Sequence, residues 1–408
     1  MKFHLRTLAL CSVFCTILFF SETANAQGVL FRGVGAVSES FGGATTAAPL
    51  DSAGALYWNP ASISGLKHSE MQFGVGIVMS ETELSSTLGP YSGKTEGSAG
   101  SIPAPSAAMV WKMPNNRWTL GFMFAGIGGA STMYPADPIN PIMSPLAGVS
   151  GVRTSNVQIL QVLPTVSYQL TKRLSLGITP TLDVGKLEIH PSAIANSAEP
   201  TGTRYLWGAG VNAGLFYQAD NCFNYGFSIK SPQWIEKVMV YDSSGSHYLD
   251  LDLPLTLSTG VSYTGFRNTV LAVDFRYFDW GNTPGFRDAG FDAAGNFVGL
   301  GWQNIFSVAM GVERKISDRL KLRMGYCFNE NPIKAENSVY NVASPLLMEH
   351  TISCGASWTF AREWDLAIAY THAFQKDITG PLDPANGIGT VTNSAAADII
   401  NASVIKRF

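Results

Sequence analysis

From residue 68 onward the chain alternates apolar side chains with small or polar ones. Met71, Phe73, Val75, Ile77 and Met79 share one parity, with Gln72, Gly74 and Gly76 between them. Trp118, Leu120, Phe122 and Phe124 repeat the pattern, as do Leu160 to Tyr168 and Leu174 to Leu182. Tyr205, Trp207, Ala209, Val211, Ala213, Leu215 and Tyr217 give the longest run, opposed by Gly208, Gly210, Asn212 and Gly214. A period of two predicts strands with two unlike faces. In a water-soluble sandwich the apolar face turns inward. In a membrane barrel it turns outward to lipid, and the small polar face lines the lumen.

The connections separate these cases. Short turns are expected at 113–117, 171–173, 219–221, 265–268, 317–319 and 361–363. Long connections are expected at 80–104, 130–154, 188–203, 231–253, 279–303, 330–347 and 375–395. Six turns and seven loops, strictly alternating, join 14 antiparallel strands with both ends on the same side. The fold class expected is all-β: a transmembrane barrel with tight periplasmic turns and long outer loops. The last strand, ending NASVIKRF, carries Ile400, Ala402, Val404 and the terminal Phe408 on one parity. A C-terminal aromatic after an amphipathic strand resembles the signal read by barrel-insertion machinery, an expected partner alongside outer-membrane lipid.

Residues 1–26 stand apart. Lys2 and Arg6 precede the apolar run Leu8 to Phe20, and Ala24-Asn25-Ala26 supplies small residues for signal peptidase. They are read as a cleaved export signal, and no cysteine follows to take a lipid anchor. Beyond it no apolar stretch is long enough for a membrane helix.

Composition agrees with an exported barrel. Only 14% of the 408 residues are charged against about a quarter in ordinary soluble chains, while 11% are aromatic and 41 are Gly. The net charge of −3 disfavours nucleic acid as a partner. Cys222, Cys327 and Cys354 cannot all pair with one another. The six histidines follow no metal-ligand spacing, and no G-x-S-x-G elbow occurs. Neither a catalytic residue, a metal nor a cofactor is expected.

Residues 27–67 do not alternate. Within DSAGALYWNPASISGL, Asp51 is placed to cap a helix through Tyr57. Asn59 is placed to cap a second, with Pro60 in its first position and Gly65 as its stop. Forty compact residues beside a 14-stranded barrel have the lumen to occupy, since barrels of that size leave space and are often plugged.

The stretch RGVGAVSESFGGATTAAPLDSAGALYWNPASISGL resembles the N-terminal hatch of the FadL family, outer-membrane transporters of long-chain fatty acids and other hydrophobic compounds. Asn59, Pro60 and Ala61 match its NPA motif. LGFMFAGIGGASTMY, ILQVLPTVSYQLTKRLSLGI, LWGAGVNAGLFYQADNCFNYGFSIKSP, LPLTLSTGVSY, AVDFRYFDWGNTPGF and LKLRMGYCFNENPI follow in family order. The resemblance implies a signal peptide at 1–26, a hatch at 27–67, a barrel at 68–408, and passive uptake rather than catalysis. A hydrophobic ligand is caught at the outer loops, passes a pocket, and leaves through the wall where the third strand kinks.

On this reading Asn59, Pro60 and Ala61 gate, and Gly126, Gly128 and Gly129 form the kink. Trp234, Ile235, Val238 and Met239 line an entry groove. Lys186 resembles a basic position that meets a ligand carboxylate, although strict alternation turns it toward lipid unless Gly185 bulges. A second basic position is Gln303 here. That departure weakens the case for a carboxylate ligand, yet fatty acids are still expected ahead of aromatic hydrocarbons. The alternatives are aromatic-hydrocarbon uptake, or a secretion-accessory barrel that binds a protein partner. A monomer is expected.

Overall fold

The computed structural model describes residues 27–114, 117–143, 153–190, 202–242, 245–293 and 297–408. The expected signal, residues 1–26, lies outside them. Fourteen long strands carry the alternation: β1 Glu70–Leu88, β2 Tyr91–Lys112, β3 Trp118–Tyr134, β4 Arg153–Gln169, β5 Leu174–His190, β6 Arg204–Gln218 and β7 Phe223–Lys230, followed by β8 Thr256–Tyr263, β9 Thr269–Phe278, β10 Ile305–Lys315, β11 Leu320–Asn329, β12 His350–Ala361, β13 Trp364–Asp383 and β14 Ile388–Arg407. Each pairs antiparallel with its neighbours in sequence, and β1 pairs with β14 from Glu70↔Arg407 to Thr87↔Thr390. The sheet is thus a closed barrel with no free edge, except at one place described below.

The six short turns lie where the pattern puts them. Around them the outward aromatics form a belt: Trp118 against Tyr168, Tyr217 against Tyr225, Phe223 against Tyr263, and Trp358 with Phe360 and Trp364. Such a girdle marks a membrane interface. Phe408 joins it, with its amide donating to Ser69 O at 2.9 Å.

Two of the expected long loops are corrected. The stretch 80–104 is not a loop: β1 and β2 stay paired to Leu88↔Tyr91 and turn at Gly89-Pro90. Likewise 375–395 is mostly strand, with β13 and β14 paired out to Asp383↔Ile388. Polar residues such as Ser85, Ser86 and Thr87 broke the apolar alternation there. The hairpin rises above the apolar band, so its outward face needs no hydrophobic side chains. Among the described residues, other outer connections hold short elements, including hairpins formed by Val238–Asp242 with Gly245–Leu249 and by Ala289–Phe291 with Phe297–Leu300.

The N-terminal segment lies inside the barrel. It contains α1, Gly35–Ser40, which the sequence pattern did not reveal, and α2, Ser52–Trp58. Asp51 caps α2, its Oδ1 accepting from Gly54 N at 3.1 Å. The second expected helix is a single 3₁₀ turn, Ser62–Gly65. Every residue of α1 and α2 is buried, although the segment is poor in large apolar side chains. Wall and segment meet instead by close backbone approach. A Cβ built on Gly226 would lie 2.2 Å from Thr46 O, and one on Gly311 would lie 2.5 Å from Phe41 O.

Candidate functional site

The corner Asn59-Pro60-Ala61 packs against β5 and β6. Asn59 is fully buried, and its Nδ2 donates to Thr46 O and to Leu215 O, both at 2.9 Å. Its Oδ1 accepts from Ala61 N at 3.0 Å. One side chain therefore ties the segment to itself and to the wall. Its carboxamide carries both donors and acceptor, a set that neither Asp nor Leu can supply.

On the far side the segment is held by charge. Asp274 Oδ2 of β9 accepts from Thr46 N at 2.9 Å, and Arg276 Nη2 donates to Asp274 Oδ2 at 2.7 Å and to Gly43 O at 2.5 Å. The guanidinium lies 3.6 Å from the centre of the Trp58 ring. Both charged side chains are fully enclosed. The sequence pattern did not single them out, because two charges spaced i, i+2 on a lumen face look like ordinary solvated polar positions.

Gly126, Gly128 and Gly129 lie within β3, which continues to Tyr134. The β3–β4 register shifts between Gly126 and Gly128, a β-bulge. Below the bulge β3 also pairs with β2, from Lys112↔Thr119 to Ser106↔Ala125. Above it, among the barrel strands, β2 pairs with β1 alone and β3 with β4 alone. The wall is split there. Ala125 stands seven residues above Trp118 of the turn-side girdle, or ~18 Å of height at ~3.3 Å per residue and ~40° tilt, inside an apolar band ~25 Å tall. Higher up, the ring of Tyr134 packs over Gly97 and closes the split into a window.

Behind the window runs the start of the described chain. Phe31 N donates to Ile127 O at 2.8 Å, and Gly129 N to Val29 O at 2.9 Å. Residues 29–31 thus take the edge that β3 does not share with β2. Phe31 borders a small void next to Ala104 and Gly126. Val29, two residues away, borders a different cavity of about 100 Å³.

That second cavity is apolar. Val157, Ile159, Leu206, Leu253, Phe286 and Phe297 are among its walls. Of the residues expected in an entry groove, Ile235 borders it. Val238 is buried beside Leu187, Leu206 and Phe297, Met239 is half-buried, and Trp234 points away with 61% of its surface exposed. Lys186 borders the cavity beside Gly185. The register across Gly185 is unbroken, so Gly185 does not bulge, and the Lys186 side chain keeps the outward parity of Leu182 and Ile178. Its Nζ lies 3.3 Å from Glu188 Oε2. Gln303 faces neither cavity; its Nε2 donates to Asn331 O at 3.0 Å.

Two residues deeper on the same strand faces is a polar floor. Gln161 Nε2 donates to Asp183 Oδ1 at 2.7 Å and to Gln233 Oε1 at 3.3 Å, and Lys230 Nζ donates to Gln161 Oε1 at 3.3 Å. The Lys230 ammonium also sits 4.7 Å from the centre of the Tyr57 ring. No group of three or more metal-ligating side chains occurs among the described residues. Cys222, Cys327 and Cys354 are free thiols.

The described chain is thus a closed 14-stranded barrel, occluded from within and split on one side. The sequence matches the model of the outer membrane protein transport protein family (OMPP1/FadL/TodX) over residues 17–408, and the chain belongs to that family of outer-membrane transporters of hydrophobic compounds. Its fold is similar to that of the Pseudomonas putida toluene transporter TodX, with a TM-score of 0.71 at 18% identity over 92% of this chain and 99% of that one. A Pseudomonas aeruginosa FadL homologue gives 0.70 at 13% identity over 93% and 100%. The Ralstonia pickettii toluene transporter TbuX gives 0.66 at 16% identity over 92% and 99%. No curated protein sequence matches the chain.

Proposed function

We propose that the protein admits small neutral hydrophobic molecules, with single-ring hydrocarbons first, and releases them sideways through the β2–β3 window into the membrane. One observation carries the reading: Val29 and Phe31 border different cavities, so three residues separate the apolar cavity from the window. Movement of residues 29–31, together with the hatch that follows them, joins the two. The bulge at Gly126 and Gly128 and the NPA corner at Asn59 then have their roles as exit and anchor.

The ligand preference follows from the walls. Apolar cavities on the order of 150 Å³ in protein cores take up benzene, and this one is of comparable scale. Lys186 is the one charged residue among its walls, and its side chain keeps the outward parity, beside Glu188. That moves the preference from fatty acids, expected from the sequence, to aromatic hydrocarbons. Fatty acids remain the second reading, favoured by the Lys230 ammonium below the cavity floor. Lateral release suits either ligand, since each CH₂ kept from water is worth about 0.8 kcal/mol.

Uptake of labelled toluene and labelled oleate, by cells lacking their own transporter of this family, tests the proposal. Toluene entry should accelerate when the protein is present. No acceleration of either compound, with the barrel shown folded in the membrane, overturns it.

A further inference from the structure

We infer that Pro103 and Pro105 of β2 are the positioning residues that keep the window open and reserve the edge of β3 for residues 29–31. The inference uses the lateral-exit reading for its consequence, but its structural core stands apart from it.

The direction of each β2 amide follows from the hydrogen bonds at the strand's lower end. Met113 N donates to Trp118 O, toward β3, at 3.0 Å. Lys112 N donates to Ser69 Oγ, toward β1, at 3.0 Å. The β1–β2 register runs without a break from Glu70↔Val110 to Met79↔Ser101, so parity is kept over this stretch. Odd-numbered β2 residues therefore direct their N–H to β3. Positions 103 and 105 are odd, and both are proline, which has no N–H.

The two missing donors coincide with the end of the ladder. Extending the Ser106↔Ala125 register by one step sets Pro105 opposite Gly126, and past the bulge Pro103 comes level with Gly128 and Gly129. Pairing stops at Ser106↔Ala125. The strands have not yet separated there: a Cβ on Gly126 would lie 3.3 Å from Ala104 Cα. They are still in contact at this point, so separation is not the reason that the ladder ends. Toward β1 the prolines remove no ladder bond, because their N–H side faces the window, a placement that strands tolerate.

Just past the bulge, Ile127 O and Gly129 N bond to Phe31 and Val29. Ordinary residues at 103 and 105 would offer β3 a competing partner. With proline in both places, the β3 edge is available to the N-terminal segment each time that segment returns.

The test is the double variant Pro103→Thr/Pro105→Thr, with Pro105→Thr as a milder form, each shown folded by heat-modifiable migration. Amide hydrogen exchange is read at positions 103, 105 and Phe31. The expected result is slow exchange at the new amides, at least tenfold below that of an unpaired strand edge, with matching loss of protection at Phe31. Rapid exchange at 103 and 105 in folded barrels, with Phe31 unchanged, overturns the inference. Uptake is read separately. A zipped window with undiminished toluene uptake supports the proline role and removes lateral exit instead.

Discussion

Gly214 of β6 stands where any side chain would strike Asn59: a Cβ built there would lie 2.1 Å from Asn59 Oδ1. The nearby Gly177 of β5 is equally close to Ala61, at 2.3 Å from its amide nitrogen. Asparagine and glycine thus form one contact, in which the wall gives up its side chain so that the corner can bond to wall backbone.

Gly214→Val should therefore dislodge the corner without unfolding the barrel, because β6 keeps its ladders to β5 and β7. The expected outcome is a folded barrel with raised conductance in planar bilayers and faster proteolysis between residues 44 and 66. Conductance equal to that of the parent protein would show that the corner does not occlude the lumen.

Asn59→Ala leaves Thr46 O and Leu215 O without their donor and Ala61 N without its acceptor. Each orphaned buried group costs about 1–3 kcal/mol. Asn59→Asp should be nearly as harmful, since an ionised carboxylate only accepts. Both variants should speed proteolysis of the segment by more than tenfold, whereas Ser64→Ala should change it little.

Arg276→Met removes the cation that faces Trp58 and bonds Gly43 O, and leaves Asp274 buried beside Thr46. Breaking a buried pair on one side costs about 3–5 kcal/mol. The paired change Asp274→Asn/Arg276→Met should recover part of that loss. Thermal unfolding of the purified barrel, followed by tryptophan emission, distinguishes the three proteins.

Burial pushes the Asp51 carboxyl up to about 6, against which the Gly54 amide works. An acid whose value is raised on docking holds its proton more tightly when docked. Docking of α2 is then favoured at low pH and weakens as pH climbs from about 4 through about 6. Exchange of the α2 amides, corrected for intrinsic rate, should be slower at pH 5 than at pH 7.5. Asp51→Asn, which keeps the Gly54 acceptor, should weaken that dependence, and the buried Glu70 carboxylate that accepts from Ser52 N should carry the remainder.

Lys230→Met discriminates between the two ligand readings. Toluene uptake should persist, because the cavity walls are untouched. If oleate is a substrate whose carboxylate passes the floor, its uptake should fall at least tenfold. Equal loss of both would mean that Lys230 serves packing against Tyr57.

Much of this protein was legible along the chain. Strand number, turn positions, the outward faces and the capped piece at Asp51 all follow from local rules, since a residue in a barrel strand faces either lipid or lumen and its neighbours face the other way. The hairpin tips at 80–104 and 375–395 were misread where that contrast vanishes above the membrane. Lys186 illustrates the limit of resemblance: its parity, visible in the sequence, already set it outward, and the unbroken register shows that Gly185 does not reverse it. Asp274, Arg276 and Lys230 were not separable from other lumen-facing polar residues, because what marks them is burial by a segment more than 160 positions away.

The split between β2 and β3 lies between these extremes. Its cause lies in the chain as two prolines and a run of glycines. Its meaning does not, for the direction in which a missing N–H points depends on pairing register, and register exists only once distant strands have met. The sequence by itself determined the barrel, through a two-residue period that every strand obeys separately. Only the tertiary structure decided which edge stays unpaired and which segment covers it, because hydrogen bonds between chain segments are satisfied jointly.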